Sequence, residues 1–131
     1  MRPAEAAARE LVGARFRPQG RVPAHGLDCI GVAMIAAGVA EDSVRRDYPL
    51  HAFEPEELHA GLARAGLVRV DPDRTRPGDV VVARPGAERL HLAVLVDGGF
   101  VHADAGLRRV VEVPGALPWP LLSAWRRPDA D

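Results

Sequence analysis

The sequence contains a single cysteine, Cys29, and the residues around it suit a nucleophile. Asp28 before it is a good helix N-cap, and the apolar run 30–37 after it predicts a buried helix that ends at Gly38. Cys29 would then lie in the first helical turn, where unpaired backbone N–H groups and the helix dipole stabilise a thiolate and a developing oxyanion. We therefore expect a thiol with a lowered pKa. The alternative is a cysteine that serves only as a small buried apolar residue.

Two histidines later in the chain supply a base and an orienting partner. His91 lies in the strand-like run 90–96 and His102 in the run 100–103, and the Asp-Gly-Gly sequence between them predicts a tight hairpin. The two histidines are then expected on adjacent strands, roughly opposite each other. One imidazole would face Cys29 as general base while the other fixes its orientation. Asp104 ranks behind His102 for the orienting role because it lies nearer the end of the strand.

These pieces, in this order, resemble the NlpC/P60 cysteine peptidases over most of the chain. The stretches that carry the resemblance are Gly26-Leu27-Asp28-Cys29-Ile30-Gly31-Val32, Arg76-Pro77-Gly78-Asp79-Val80, His91-Leu92-Ala93-Val94 and Val101-His102-Ala103. The resemblance implies a papain-like fold with Cys29 as nucleophile, His91 as base and His102 as third polar residue. It also implies a peptidoglycan stem peptide as substrate, most often cut between D-glutamate and the diamino acid.

The segment 16–21 is most similar to short members of that family encoded in phage-tail and gene-transfer-agent gene clusters. This similarity implies tail proteins of such particles as partners. Two positions depart from the family pattern: Ile30 replaces a serine that helps to bind the amino end of the substrate, and Phe16 replaces a tyrosine with a donor hydroxyl. We expect Asp28 and Ile30 at the substrate-binding positions and Gln19 as the second oxyanion donor.

The order of patterns along the chain predicts the fold class α+β. Helical spacing covers 4–12 and 55–65 in addition to the cysteine helix, whereas strand patterns dominate after residue 67. The predicted strands are 68–70, 80–83, 90–96, 100–103, 110–113 and 122–125. This order favours N-terminal helices packed on an antiparallel sheet or small barrel of five to six strands. The 131 residues, 47% of them hydrophobic, suffice for a single domain, 1–131, with its own core.

Charge and composition argue against several classes of partner. A formal net charge of −1 gives no electrostatic reason to bind nucleic acid or an anionic membrane. One cysteine cannot form an internal disulfide, and the charged residues within 1–12 leave no apolar core of signal-peptide length. We expect synthesis in the cytoplasm without a signal peptide, and delivery to the cell wall on a virion or tail-like particle.

The remaining histidines and the two tryptophans suggest no second site. His25 is expected in an exposed loop, and His51 and His59 lack an acidic or thiol partner at metal-ligand spacing. Zinc held by the cysteine and the two hairpin histidines is chemically allowed but less favoured than catalysis. Trp119 and Trp125 are expected in core or edge packing rather than in the cleft. The sequence therefore calls for no metal and no cofactor.

Three functions fit these residues, and a cell-wall peptidase is favoured. The second keeps the chemistry but changes the substrate to another amide or acyl compound, which the change at Ile30 would favour. The third is a non-catalytic tail-tip or hub component with the same fold. Against the third stands the combination of Cys29, His91 and His102, because a structural role requires none of them at these spacings.

Overall fold

The helical part of the chain precedes most of the strands, as the sequence predicts. The structure, a computed structural model, describes residues 3–39, 54–87 and 89–128. The α-helices within these ranges are α1 (Ala4–Glu10), α2 (Cys29–Ala37) and α3 (Pro55–Arg64). Helix α1 is shorter than the predicted 4–12, and Leu11 is its C-cap. The turn-like stretch 40–53, with a bend predicted at 47–49 and with His51, lies outside the described residues.

Helix α2 is buried on almost all sides, which explains its uniformly apolar sequence. Asp28 caps its start by accepting a 2.8 Å hydrogen bond from the Gly31 N–H, and Gly38 ends it in the left-handed region at φ +71°. Helix α3, in contrast, is amphipathic and buries Leu58 and Leu62. Both helices match the predicted patterns.

The strands form an antiparallel sheet that is open rather than closed into a barrel. They are β1 (Arg21–Val22), β2 (Gly26–Leu27), β3 (Val68–Val70), β4 (Val80–Gly86), β5 (Arg89–Val96), β6 (Gly99–Asp104), β7 (Arg109–Pro114) and β8 (Leu121–Arg126). Within the described ranges the sheet has six strands in the order β3-β8-β4-β5-β6-β7, and β1 and β2 form a separate hairpin. The six predicted strands are confirmed. The β1–β2 hairpin lies where we expect a loop, because two-residue strands are too short to show periodicity.

Alternation along β5 divides the core between the two faces of the sheet. Leu92 and Val94 lie in the main core, together with Met34 of helix α2. Ala93 belongs to a smaller cluster on the opposite face, where it packs near Phe100. A side chain two residues before Ala93 points to this second face. His91 occupies that position, near the beginning of β5.

The Pro-Gly-Asp turn before β4 is tied to the C-terminal strand by a buried ion pair. Asp79 is 1% exposed, and its carboxylate accepts two hydrogen bonds from Arg126, at 2.7 Å from Nε and 2.8 Å from Nη2. It also accepts a 3.0 Å hydrogen bond from the Arg76 N–H. Such a bidentate pair fixes both position and direction. Strand β8 is thereby held between β3 and β4, although it comes last in the chain.

Candidate active site

Cys29 is the first residue of helix α2, as predicted, and only 2% of it is exposed. The start of the helix lies against the backbone of the preceding loop. A Cβ added to Gly31 would be 2.3 Å from the Gly20 carbonyl oxygen, so only glycine fits at this approach. The close contact between the helix and the loop therefore determines where the thiol lies.

Asp28 is engaged by three protein donors. Its Oδ1 accepts hydrogen bonds from the Gly31 N–H and from Arg21 Nη1, both at 2.8 Å, and its Oδ2 accepts one from the Gln19 N–H at 3.1 Å. Arg21 is itself buried, with 3% exposed. A buried ion pair of this kind is costly to break. Asp28 therefore anchors the loop and the helix to each other, and both of its oxygens are occupied by protein groups.

His91 and His102 form the second half of the site. His91 Nε2 lies 2.8 Å from His102 Nδ1, and the two rings are nearly perpendicular at 89°. The strands pair Val94 with Val101, so continuing this register places Ala93 opposite His102. The histidines are therefore diagonal neighbours. The sequence predicts them roughly opposite each other. The contact through Nε2 leaves Nδ1 of His91 as the nitrogen available to a reacting group.

Trp119 packs on both imidazoles. Its ring centroid lies 5.1 Å from that of His91 and 5.4 Å from that of His102, in edge-type contacts. Phe100 adds a further ring contact to His102 at 5.3 Å. Trp119 lines the cleft, which is the less favoured of the two positions that the sequence allows for it. Trp125 is buried at 4% exposure, as expected.

A cleft of about 610 Å³ connects these groups. The residues of the predicted site that line it are Gln19, Asp28, Cys29, His91 and His102. Phe16 lines the cleft too, and unlike the tyrosine of the family pattern it has no hydroxyl to donate. Ile30 is not among the residues that line the cleft and is buried in the main core, and its role in substrate binding stays a prediction. Helix α2 is buried on almost all sides, so the side chain of Ile30 packs in the core.

Solved structures similar to this chain share one fold. NlpC1 from Trichomonas vaginalis matches with a TM-score of 0.61 and 19% identity, covering 95% of this chain and 42% of its own. The NlpC/p60 domain of the peptidoglycan hydrolase SagA matches with a TM-score of 0.59 and 17% identity, covering 93% of this chain and 94% of its own. This chain has the NlpC/P60 fold.

The peptidoglycan hydrolase RipB from Mycobacterium tuberculosis also matches, with a TM-score of 0.56 and 17% identity, over 95% of this chain and 62% of its own. This chain spans less than half the length of NlpC1. No protein-family sequence model and no curated protein matches it. At these identities the likeness establishes the fold.

In this NlpC/P60 fold the thiol is not activated at rest. Burial and, second, the negative charge of Asp28 raise the pKa of Cys29 to about 12, against the opposing effects of backbone hydrogen bonds from Leu92 and Ile30 and of the charge of Arg21. The prediction of a lowered pKa is therefore wrong for this state, because desolvation exceeds the effect of the helix N-terminus. No hydrogen bond within the described ranges joins the thiol to His91.

The imidazoles are neutral at pH 7. Burial and, to a smaller extent, positive charge on His102 and Arg89 lower the pKa of His91 to about 4, whereas Asp104 acts to raise it. Burial also lowers the pKa of His102, again opposed by Asp104. A neutral His91 has the protonation state of a general base. Asp104 is therefore the carboxylate that favours the imidazolium form of both rings.

Asp104 extends the histidine pair into a row of three groups. Its Oδ2 lies 4.0 Å from Nε2 of His102, and its Oδ1 accepts a 3.0 Å hydrogen bond from the Leu107 N–H. The sequence predicts Asp104 on the same face as His102, because residues two apart in a strand share a face, but ranks it behind His102 for the orienting role.

The two described histidines outside the cleft, His25 and His59, are exposed or have a structural partner. His59 Nε2 lies 2.9 Å from Ser123 Oγ, and the Trp125 indole donates to that same hydroxyl at 3.0 Å, which ties α3 to β8. His25 is exposed in the turn between β1 and β2. Among the described residues no group of three or more His, Cys, Asp or Glu is placed to hold a metal ion. None of the described helices has the length and apolar character to cross a membrane.

Proposed function

We propose that the protein is a cysteine peptidase that hydrolyses an amide bond of peptidoglycan stem peptides. The observation that carries the proposal is the 2.8 Å contact between His91 and His102 in the cleft that Cys29 also lines. It supports a neutral base with one free nitrogen in the same cleft as a cysteine at a helix N-terminus. The substrate class is supported by the sequence resemblance and by SagA and RipB, two structural neighbours that are peptidoglycan hydrolases.

The proposed reaction is acyl transfer to water. Cys29 Sγ attacks the amide carbonyl and forms a carbon–sulfur bond while its proton passes to His91. N–H groups at the start of α2 stabilise the oxyanion, and Gln19, which lines the cleft, is the proposed second donor. His91 returns the proton to the leaving amine as the carbon–nitrogen bond breaks. His91 then deprotonates a water molecule that attacks the thioester, the carbon–sulfur bond breaks, and the proton passes from His91 to Cys29 Sγ. His102 keeps the ring of His91 in one orientation throughout.

The resting electrostatics determine when the thiol loses its proton. With the pKa of Cys29 near 12 and that of His91 near 4, the neutral thiol and neutral imidazole are favoured over the ion pair at pH 7. Deprotonation of Cys29 therefore accompanies attack on the substrate rather than preceding it. Developing negative charge moves from sulfur to the carbonyl oxygen, where the helix N–H groups receive it.

The test is mass spectrometry of defined muropeptides incubated with the purified protein. We expect loss of mass at one amide with the wild-type chain and none with Cys29→Ala or His91→Ala, because these variants lack the nucleophile and the base. His25→Ala, which changes an exposed histidine outside the cleft, is the matched control and should retain turnover. Circular dichroism of each variant checks that the fold is intact. Turnover by Cys29→Ala would overturn the mechanism.

A non-catalytic component with the same fold is the second candidate. The observation that favours it is the raised pKa of Cys29, since a thiol with a pKa near 12 is a poor nucleophile without help. This candidate predicts no cleavage of any muropeptide by the wild-type chain. It also predicts that Cys29→Ala leaves the assembly of the particle that carries the protein unchanged.

An amidase or acyltransferase for a different substrate is favoured by the burial of Ile30. The residue is 2% exposed and takes no part in the cleft surface, so it offers no group to the amino end of a stem peptide. A panel of simple amides, compared with muropeptides, separates this candidate from the first. Cys29-dependent turnover of amides alone would support it.

We propose further that the protein is carried on a phage-tail or gene-transfer-agent particle and contacts its tail proteins. The support is the similarity of residues 16–21 to short members encoded in such gene clusters. Immunodetection in purified particles, with cytoplasmic extract as the comparison, tests this. Enrichment with the particles is expected, and recovery in the extract alone would contradict the proposal.

A further inference from the structure

Arg89 is a cation placed beside the base. It is the first residue of β5, its side chain is exposed, and it lines the same cleft as Cys29 and His91. Arg89 and His91 are two residues apart on one strand, so their side chains leave the same face with Cα atoms about 7 Å apart. The guanidinium is therefore within reach of a substrate whose scissile amide lies at Cys29.

Within the part of the chain that the structure describes, no residue neutralises this guanidinium. Among the described residues no hydrogen bond or ion pair engages it. Other arginines are engaged by protein groups: Arg9 pairs with Glu5 and Glu112, Arg21 with Asp28 and Arg126 with Asp79, while Arg69 lies over the Trp125 ring and Arg84 donates to the Ala87 carbonyl oxygen. Among the described residues Arg89 has no such partner, so its charge is open to a ligand in the cleft that it lines.

The two carboxylates that line the cleft have other partners. Both oxygens of Asp28 accept hydrogen bonds from the loop, the helix and Arg21. Asp104 accepts from the Leu107 N–H with one oxygen and lies 4.0 Å from His102 with the other. Neither forms an ion pair with Arg89. The cleft therefore presents a positive charge that a ligand can neutralise.

The position of Arg89 is unfavourable for catalysis unless an anion binds there. Its charge opposes formation of the imidazolium on His91, as does His102, while Asp104 favours it. The other charged group on that side of the cleft, Asp28, is paired with Arg21. A carboxylate bound to Arg89 would cancel the opposing charge. Arginine also prefers carboxylates, which it binds through two parallel hydrogen bonds.

We propose that Arg89 is a specificity residue that binds a carboxylate of the substrate next to the scissile amide. The inference rests on the proposed peptidase function and adds a substrate class, namely acidic peptides whose carboxylate is free. The same peptide with that carboxylate converted to a carboxamide is a poor substrate. Amidation of the stem peptide thus protects it against this enzyme.

The test uses two muropeptides that differ only at the γ-linked glutamate, whose α-carboxylate is free in one and amidated in the other. We expect kcat/KM to be roughly 10- to 100-fold higher for the free acid, the range for a hydrogen-bonded charge pair. Arg89→Gln should bring the ratio of the two values close to one, chiefly by slowing cleavage of the acid. Arg89→Lys should retain part of the ratio, because it keeps the charge but loses the bidentate geometry.

Arg64→Gln is the matched control, since it removes an equal charge from an exposed position on α3 outside the cleft. It should keep the wild-type ratio. An equal rate for the two peptides with the wild-type chain, or a wild-type ratio in Arg89→Gln, would overturn this inference and leave the peptidase in place. Failure of the wild-type chain to cleave either peptide would refute the proposed function and this inference with it.

Discussion

His102 lies diagonally across the β5–β6 pair from His91, and the nitrogen of one ring approaches the nitrogen of the other to 2.8 Å. One proton must lie between these atoms. If His91 donates it from Nε2, its Nδ1 is unprotonated and can accept the proton of Cys29. His102 then carries its own proton on Nε2, towards Asp104 at 4.0 Å. The arrangement thus supplies a base in the required tautomer, with a carboxylate one ring away.

Asp104→Asn tests the contribution of that carboxylate. Asp104 raises the pKa of both histidines, so its neutralisation should move the acidic limb of the kcat/KM profile to lower pH. The plateau should also fall by about 3- to 10-fold, because the imidazolium formed during attack is less stabilised. Asparagine keeps an acceptor for the Leu107 N–H, so the turn is preserved. The measurement is a pH–rate profile on one muropeptide.

Asp73→Asn provides the comparison for that experiment. It removes an equal charge from an exposed 3₁₀ turn outside the cleft and should leave the profile unchanged. An acidic limb at the same pH in Asp104→Asn and the wild-type chain would show that Asp104 does not influence the base.

The thiol of Cys29 should react slowly in the native protein. Its pKa is raised to about 12, so very little thiolate exists at pH 7, and the residue is buried. We expect alkylation by iodoacetamide at pH 7 to be at least about 100-fold slower than in the same protein unfolded in urea. Since the chain has one cysteine, the mass change reports on this site alone. Rapid alkylation below pH 7 would instead indicate a thiolate stabilised by the helix.

The sequence predicted the parts of the site that depend on local signals. The N-cap Asp28 and the apolar run after it locate Cys29 at a helix start, and the Asp-Gly-Gly turn brings the strands of His91 and His102 together. These features depend on residues within a few positions of one another. The α+β class followed from the same periodic patterns.

The remaining features depend on contacts between distant parts of the chain. The raised pKa of Cys29 results from burial beneath neighbouring elements, which the preceding Asp28 does not reveal. Trp119 contacts both histidines from the irregular stretch between β7 and β8. No hydrophobic periodicity there indicates where its side chain points. The direction in which the Ile30 side chain points depends on how α2 is rotated about its axis relative to the sheet. None of these follows from spacing alone.

Acid should destabilise the fold through His91. Its pKa is about 4 in the folded protein and about 6.5 when unfolded, so the unfolded state binds more protons between these values. The free energy of unfolding should therefore fall as the pH decreases from 6.5 to 4, by on the order of 3 kcal/mol from this group. Urea denaturation at several pH values measures the slope. His91→Gln should flatten it in this window, whereas the exposed His25→Gln should not, and equal slopes in all three proteins would contradict the assignment.

Gly31→Ala should both weaken the fold and displace the nucleophile. Alanine in a helix is favoured over glycine by about 1 kcal/mol, but the new Cβ would lie 2.3 Å from the Gly20 carbonyl oxygen, where backbone has to move. Overpacking of this kind costs about 1–3 kcal/mol, so we expect net destabilisation of about 1–2 kcal/mol and a loss of activity as Cys29 shifts. Gly86→Ala is the control, because the nearest atom to its Cβ is Arg89 Cδ at 4.0 Å. Equal unfolding free energies of Gly31→Ala and Gly86→Ala, measured in urea, would show that the loop at Gly20 can move to accommodate the new Cβ. The contact between Gly31 and Gly20 would then not determine the position of the thiol.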